Sequence, residues 1–252
     1  RDFQIVGVFG GGVTPSKTGG AALAINPGTG LQNNYSRFYN VTIYGVPIGI
    51  DFVRTEMALV RDCCFLACPE AGLRIANRYN IDGGDMAVTG CTFSNPYTYG
   101  AGVKYINSGG LRFTDNKILG GGVGFLMAYE AVAGDTGPAQ TAILILANNS
   151  IENQANQNIS LTRVSGSSKW FYMLIHDNEL AGCPVGIATD TSGFIQQLDI
   201  HDNTIQLAGS GSPLGIALDG VTELQVHDNS IKANGGTSPI GLYLANCSQT
   251  KV

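Results

Sequence analysis

Charged side chains are scarce in this chain, at 13% of 252 residues, and they lean acidic, with 19 Asp and Glu against 14 Lys and Arg. A net charge of -5 argues against a nucleic-acid backbone or an anionic membrane as the main partner. Long hydrophobic runs are also missing. Nothing approaches the roughly 20 apolar residues of a membrane span, so membrane insertion is not expected. The first residues do not read as a signal peptide. Six cysteines (63, 64, 68, 91, 183 and 247) show no paired metal-ligand spacing, because Cys63-Cys64 and Cys68 have no second cluster. No metal and no cofactor is expected; the thiols read as reduced core residues, with a Cys64–Cys68 disulfide or a metal as alternatives. Gly11–Thr18 nearly spells a phosphate-binding loop, but Ser16 stands where the second glycine is required. No stretch sustains a helical period; short alternating segments are broken by Gly, Asn and Asp instead.

What the chain does contain is a repeat. His-Asp-Asn occurs at 176–178, 201–203 and 227–229, and these copies hold all three histidines. Related copies run through Asp115-Asn116 and Asn148-Asn149 to the degenerate Asp62-Cys63 and Gly90-Cys91. The anchor residues 63, 91, 116, 149, 178, 203 and 229 are spaced by 28, 25, 33, 29, 25 and 26 residues. A second motif keeps the same phase: Gly49-Ile50-Asp51-Phe52, Gly72-Leu73-Arg74-Ile75, Gly102-Val103-Lys104-Tyr105, Gly186-Ile187-Ala188-Thr189, Gly215-Ile216-Ala217-Leu218 and Gly241-Leu242-Tyr243-Leu244. A fixed period near 25 residues means a solenoid.

Period-2 alternation puts Leu224 and Val226 on one face and Glu223, Gln225 and His227 on the other. One rung cannot bury its own apolar face, but rungs stacked at roughly 4.8 Å bury a continuous column. The turn asparagines then point inward and form a ladder, with Cys63 and Cys91 in the same slot. The expected fold is all-β: one right-handed parallel β-helix of about nine rungs spanning 1–252. Neither end offers a polar cap, so the chain reads as a fragment of a longer one, or as one whose ends are covered by partner chains.

The repeat Leu-x-Ile-x-Asp-Asn-x-Ile followed by Gly-Ile-x-Leu, over positions 41–246, resembles the rungs of right-handed parallel β-helix proteins of the pectate-lyase-like class. The Gly- and Ser-rich, low-charge style is most similar to the central domain of a bacteriophage tailspike. That resemblance implies recognition and depolymerisation of a bacterial surface polysaccharide by a homotrimer on the virion tail. Small residues of the C-terminal half, Ala188 and Ala217, suit a packing face. Two alternatives stay open: a monomeric secreted polysaccharide lyase or epimerase, and a non-catalytic structural or adhesive solenoid.

Three groups of residues are candidates for a site. The third position of the Gly-Ile-x-Leu strand faces outward and reads Asp51, Arg74, Lys104, Gly124, Ser160, Ala188, Ala217 and Tyr243 down the rungs. Asp51, Arg74 and Lys104 would form a line able to hold a carboxylated or phosphorylated sugar, with Asp51 available for acid/base work; the bland reading is a salt-bridge ladder. Insertions contribute Glu130, Asp135 and Glu152, whose rung spacings suit a pair of glycosidase carboxylates, with Asp51, Glu56 and Asp190 as outsiders. Tyr97, Tyr99 and Trp170 are candidate sugar-stacking rings. Tyr35, Phe38 and Tyr39 read as packing residues. The three histidines would stack on an outer face beside turn aspartates, a surface arrangement more than a metal site.

Overall fold

The structure, a computed structural model, describes residues 3–6, 20–25, 33–53, 55–76, 85–106, 109–129, 142–163, 171–189 and 195–252. These form three parallel sheets of nine strands each, coiled as a right-handed β-helix. Each rung contributes one strand to each sheet in turn, as Thr204–Ala208, Leu214–Asp219 and Val221–His227 do. The first sheet runs from Phe3–Val6 to Ser230–Asn234, the second from Ala21–Ile25 to Ile240–Ala245, and the third from Arg37–Tyr39 to Thr250–Lys251. Nine strands per sheet agree with the expected rung number.

Alternation fills the interior. In the first sheet Ile43, Phe65, Phe93, Ile118, Ile151, Leu180 and Ile205 stack in register, each almost wholly buried. Leu224 and Val226 are buried, while Glu223, Gln225 and His227 face out. The interior changes character along the axis. Phe52, Phe65, Phe93, Tyr105, Phe113 and Phe125 occupy the N-terminal half, and the Phe65 and Phe93 rings stack at 4.9 Å. Beyond Phe125 the buried hydrophobic positions of the core cluster are Ile, Leu, Val and Met.

The corner from the third sheet to the first explains the Asp-Asn repeat. Asp62, Gly90, Asp115, Asn148, Asp177, Asp202 and Asp228 all take left-handed backbone, with φ between 53° and 66°. Asp, Asn and Gly tolerate that conformation, so the residue before each anchor is drawn from them. The turn aims the next side chain inward. Asn116, Asn149, Asn178 and Asn203 are 1–2% exposed, and each Oδ1 accepts from the backbone N–H of the preceding rung's anchor: Cys91 N to Asn116 at 2.9 Å, Asn116 N to Asn149 at 3.0 Å and Asn149 N to Asn178 at 3.0 Å. Their Nδ2 groups donate to Oδ1 of the next rung and to carbonyls of the preceding one. Cys63 and Cys91 fill the same slot, donating weakly to Arg61 O and Thr89 O.

The glycine motif marks the entry to the second sheet. Gly72 has no cross-strand partner of its own between the Ala71–Ala101 and Leu73–Val103 pairs. A β-carbon there would stand 2.7 Å from Phe93 Cδ1, and one at Gly215 would meet Ile231 Cγ2 at 2.7 Å and overlap Gly241 O. One rung departs from the rule. Asn158 stands opposite Gly124, wholly buried, with Nδ2 donating to Ile151 O at 2.9 Å and Gln154 Oε1 at 2.6 Å.

Not every cysteine is core: Cys64 and Cys247 are half-buried, and all six are free thiols. Tyr35 and Tyr39 are exposed at 63% and 42%, contrary to the packing role read from the sequence; only Phe38 packs, edge-on against Phe52. Alternation in the strand Arg37–Tyr39 turns Phe38 inward and Tyr39 outward, and Tyr35 precedes that strand.

Candidate functional site

The line of charged residues forms as expected. On the second sheet Arg74 pairs in register with Asp51 on one side and Lys104 on the other. The column continues with Leu126, Ser160, Ala188, Ala217 and Tyr243. Leu126 therefore takes the place assigned to Gly124, which aligns with Gly102; the motif of this rung starts two residues later than the count implied.

Asp51 and Arg74 make a bidentate pair, Nε to Oδ1 at 2.8 Å and Nη2 to Oδ2 at 2.5 Å. Glu70, in the turn before Ala71–Ala76, accepts from Arg74 Nη1 at 3.2 Å and lies 3.6 Å from Lys104 Nζ. All four side chains are largely sheltered, from 10% exposed at Asp51 to 23% at Lys104. The result is a closed network of two carboxylates and two cations in which both Asp51 oxygens accept from one guanidinium. Such fork-to-fork pairing fixes geometry firmly. It also leaves Asp51 as an acceptor and not as a proton donor. Glu70 was missed from sequence because it lies outside the strand repeat, at a turn position where other rungs carry Pro47 or Gly100.

The turn that carries the tyrosines adjoins this network through its backbone. Asn95-Pro96-Tyr97-Thr98-Tyr99-Gly100 joins the first sheet to strand Ala101–Ile106, which carries Lys104. Buried Asn95 holds both limbs of the turn: its Oδ1 accepts from Tyr97 N at 3.1 Å, and its Nδ2 donates to Tyr99 O at 3.2 Å. Gly100, at φ 73°, lies so close to Pro69 and Glu70 that any side chain would overlap the Pro69 carbonyl. The turn thus rests directly on the residue that bridges Arg74 and Lys104. The two rings stack with centroids 5.4 Å apart and planes 25° apart, and both are half-exposed. Partial desolvation, then the neighbouring Tyr99 and Tyr44 phenols, push the Tyr97 hydroxyl above the usual tyrosine range. Tyr44, 46% exposed, was not singled out from sequence. The alternation of Val41-Thr42-Ile43-Tyr44, with Val41 and Ile43 buried, is the signal that turns it outward.

Other candidates lie apart. Glu152 is on the first sheet, accepting from Ser150 Oγ at 2.5 Å with Lys117 Nζ at 3.7 Å. It does not join Asp51, because the two strands belong to different faces of the solenoid. Glu130, Asp135, Trp170 and Asp190 lie outside the described residues, as does the side chain of Glu56. In the chain Glu130 and Asp135 fall between Val123–Tyr129 and Ala142–Ala147, Trp170 just before Phe171–His176, and Asp190 just after Val185–Thr189. Ala188 and Ala217 are each 8% exposed within the chain itself, so they offer little area for packing against another.

The histidines stack on the third sheet with centroids 5.0 Å apart and planes within 11°. Each Nδ1 meets the aspartate that follows it, at 2.7, 2.8 and 2.9 Å, and His227 Nε2 is 3.5 Å from Asp199. Rings stacked face to face cannot turn their nitrogens onto one ion, and among the described residues no group of three His, Cys, Asp or Glu side chains is placed to hold a metal.

Comparison with known proteins agrees with the architecture. A family model described as a right-handed β-helix region matches residues 16–134. Among solved structures, a family 28 exopolygalacturonase from Yersinia enterocolitica aligns at 12% identity and a TM-score of 0.39, covering 84% of this chain and 44% of that one. This chain therefore spans under half the length of that enzyme. No curated protein matches. By its three sheets, its ladder and the family model, the chain is similar to right-handed parallel β-helix proteins, and that likeness concerns the fold.

Proposed function

We propose that this protein recognises a bacterial surface polysaccharide and depolymerises it, as a tailspike-like homotrimer on a virion. The observation that carries recognition is the stacked Tyr97–Tyr99 pair, held by Asn95 beside the Asp51–Arg74–Glu70–Lys104 network. Rings fixed by their own turn lose little entropy when a pyranose packs on them. The network beside them offers donors and acceptors already oriented by one another. A sugar chain running along the axis from Tyr44 would reach the tyrosine pair two rungs on, with Lys104 following on the second-sheet strand of that same rung.

Hydrolytic cleavage needs two carboxylates, one of them able to deliver a proton. Asp51 and Glu70 are both engaged by Arg74, so the depolymerase reading assigns the chemistry to Glu130 and Asp135, or to a groove between chains. The closure of the network favours a second reading, binding without cleavage.

A panel of capsular and O-antigen polysaccharides incubated with the protein separates these. Shortened oligosaccharides, followed by mass spectrometry, support the depolymerase. Loss of that shortening in Glu130→Gln and Asp135→Asn supports a hydrolase; an ultraviolet-absorbing unsaturated product indicates a lyase. A polymer that binds but stays intact supports the second reading, and a panel with no bound polymer sinks both.

A further inference from the structure

We infer that the polymer engaged at this corner is uncharged. The inference rests on the polysaccharide reading above and narrows it to a substrate class. It also reverses the expectation that Arg74 and Lys104 hold a carboxylated or phosphorylated sugar.

Arg74 has both faces of its fork occupied, by Asp51 at 2.5 and 2.8 Å and by Glu70 at 3.2 Å. Lys104 has Glu70 at 3.6 Å. Two carboxylates and two cations sum to zero within one compact patch. An incoming carboxylate could pair with Arg74 only by displacing Asp51 or Glu70, leaving a sheltered anion without its partner, which is a costly arrangement. Left undisplaced, it would stand beside two anions already in place. At longer range the chain carries a net charge of -5, which repels a polyanion before contact.

Hydroxyl groups fit the same patch without that conflict. A sugar hydroxyl both donates and accepts, so it can give its hydrogen to a carboxylate lone pair while taking one from the ammonium or guanidinium. Neither ion pair has to break. The adjacent tyrosine pair supplies apolar contact to a ring face, which depends on C–H surface and not on charge.

The test uses acidic capsular polysaccharides, the same polymers after chemical reduction of their carboxyl groups, and neutral O-antigen polysaccharides. Binding is measured by calorimetry at about 0.05 and about 0.5 M salt, where screening lengths differ severalfold. The inference expects neutral or carboxyl-reduced polymers to bind with affinity changed less than about twofold by salt. It also expects Tyr97→Ala with Tyr99→Ala to weaken that binding by about tenfold. A parent acidic polymer that binds, weakens steeply with salt and loses binding on carboxyl reduction would overturn the inference while leaving the polysaccharide reading intact. If no polymer binds in any form, the reading itself fails and the inference with it.

Discussion

The N-terminal and C-terminal halves of this solenoid follow one plan with opposite priorities. From Asn149 onward, the buried Asn158 and two strand register shifts aside, the rungs are more uniform: an unbroken asparagine ladder, an aliphatic interior, stacked His-Asp pairs, and an outer second-sheet column of Ser160, Ala188 and Ala217. Before Asn116 the ladder slot holds thiols, the interior holds phenylalanines, and the same outer column carries Asp51, Arg74 and Lys104. The regular half shows what the fold requires. The irregular half shows where the sequence departs from that requirement, and the stacked Tyr97–Tyr99 pair and the ion network lie there. In a repeat protein the degenerate copies are therefore the first place to look for chemistry, and the most conspicuous motif, His-Asp-Asn, is mainly a device for turning the chain.

The largest effect expected on this comparison comes from the ladder. Asn178 accepts from Asn149 N and Nδ2 and donates to Leu146 O and Asn203 Oδ1, all at 2.9–3.0 Å. Asn178→Ala strands several buried polar groups at once and should cost about 4 kcal/mol in urea denaturation, whereas Cys91→Ala, in the weakly bonded thiol slot, should cost about 1–2 kcal/mol. Equal costs would mean that the two halves do not differ in how the corner is held.

Next comes the ion network. Arg74→Met leaves Asp51 and Glu70 sheltered without their shared cation and should destabilise by about 3 kcal/mol. Adding Asp51→Leu should restore part of that loss, as a double-mutant cycle would show. A single variant with unchanged stability would mean that the pair is solvated and contributes only as a surface bridge.

Glycine substitutions sharpen the contrast within the regular half. Gly215→Ala drives a methyl into Ile231 and the Gly241 backbone and should cost about 2 kcal/mol. Gly241→Ala meets nothing within 4 Å and should stay within about 0.5 kcal/mol. A smaller effect, of opposite sign, is expected from Cys91→Asn. The amide would carry the ladder one rung further, offering Oδ1 to Cys63 N and Nδ2 to Val60 O, for a gain of about 1 kcal/mol.

Much of this was legible in the sequence because a solenoid writes its geometry as a period. The spacing of Asn116, Asn149, Asn178, Asn203 and Asn229 gives the rungs, and alternation gives the inward face. The register that brings Asp51, Arg74 and Lys104 together also follows from the glycine motif. Legibility failed where a residue stood outside the repeat. Glu70 sits in a turn, and no periodicity marks it as the bridge between two strands. Gly124 was misplaced because its rung, Val123–Tyr129, lacks the usual spacing between turn and strand. Glu152 appeared to belong with the other carboxylates because rung distance was counted without asking which of three faces each strand occupies.

The most direct test of the account measures binding of a neutral surface polysaccharide to two double variants. One is Tyr97→Ala with Tyr99→Ala, in the irregular half. The other is His201→Ala with His227→Ala, in the regular half. The account expects the tyrosine variant to lose about tenfold in affinity and the histidine variant to bind as the parent protein does. Undiminished binding by the tyrosine variant, with loss in the histidine variant, would contradict it and move the site to the third sheet.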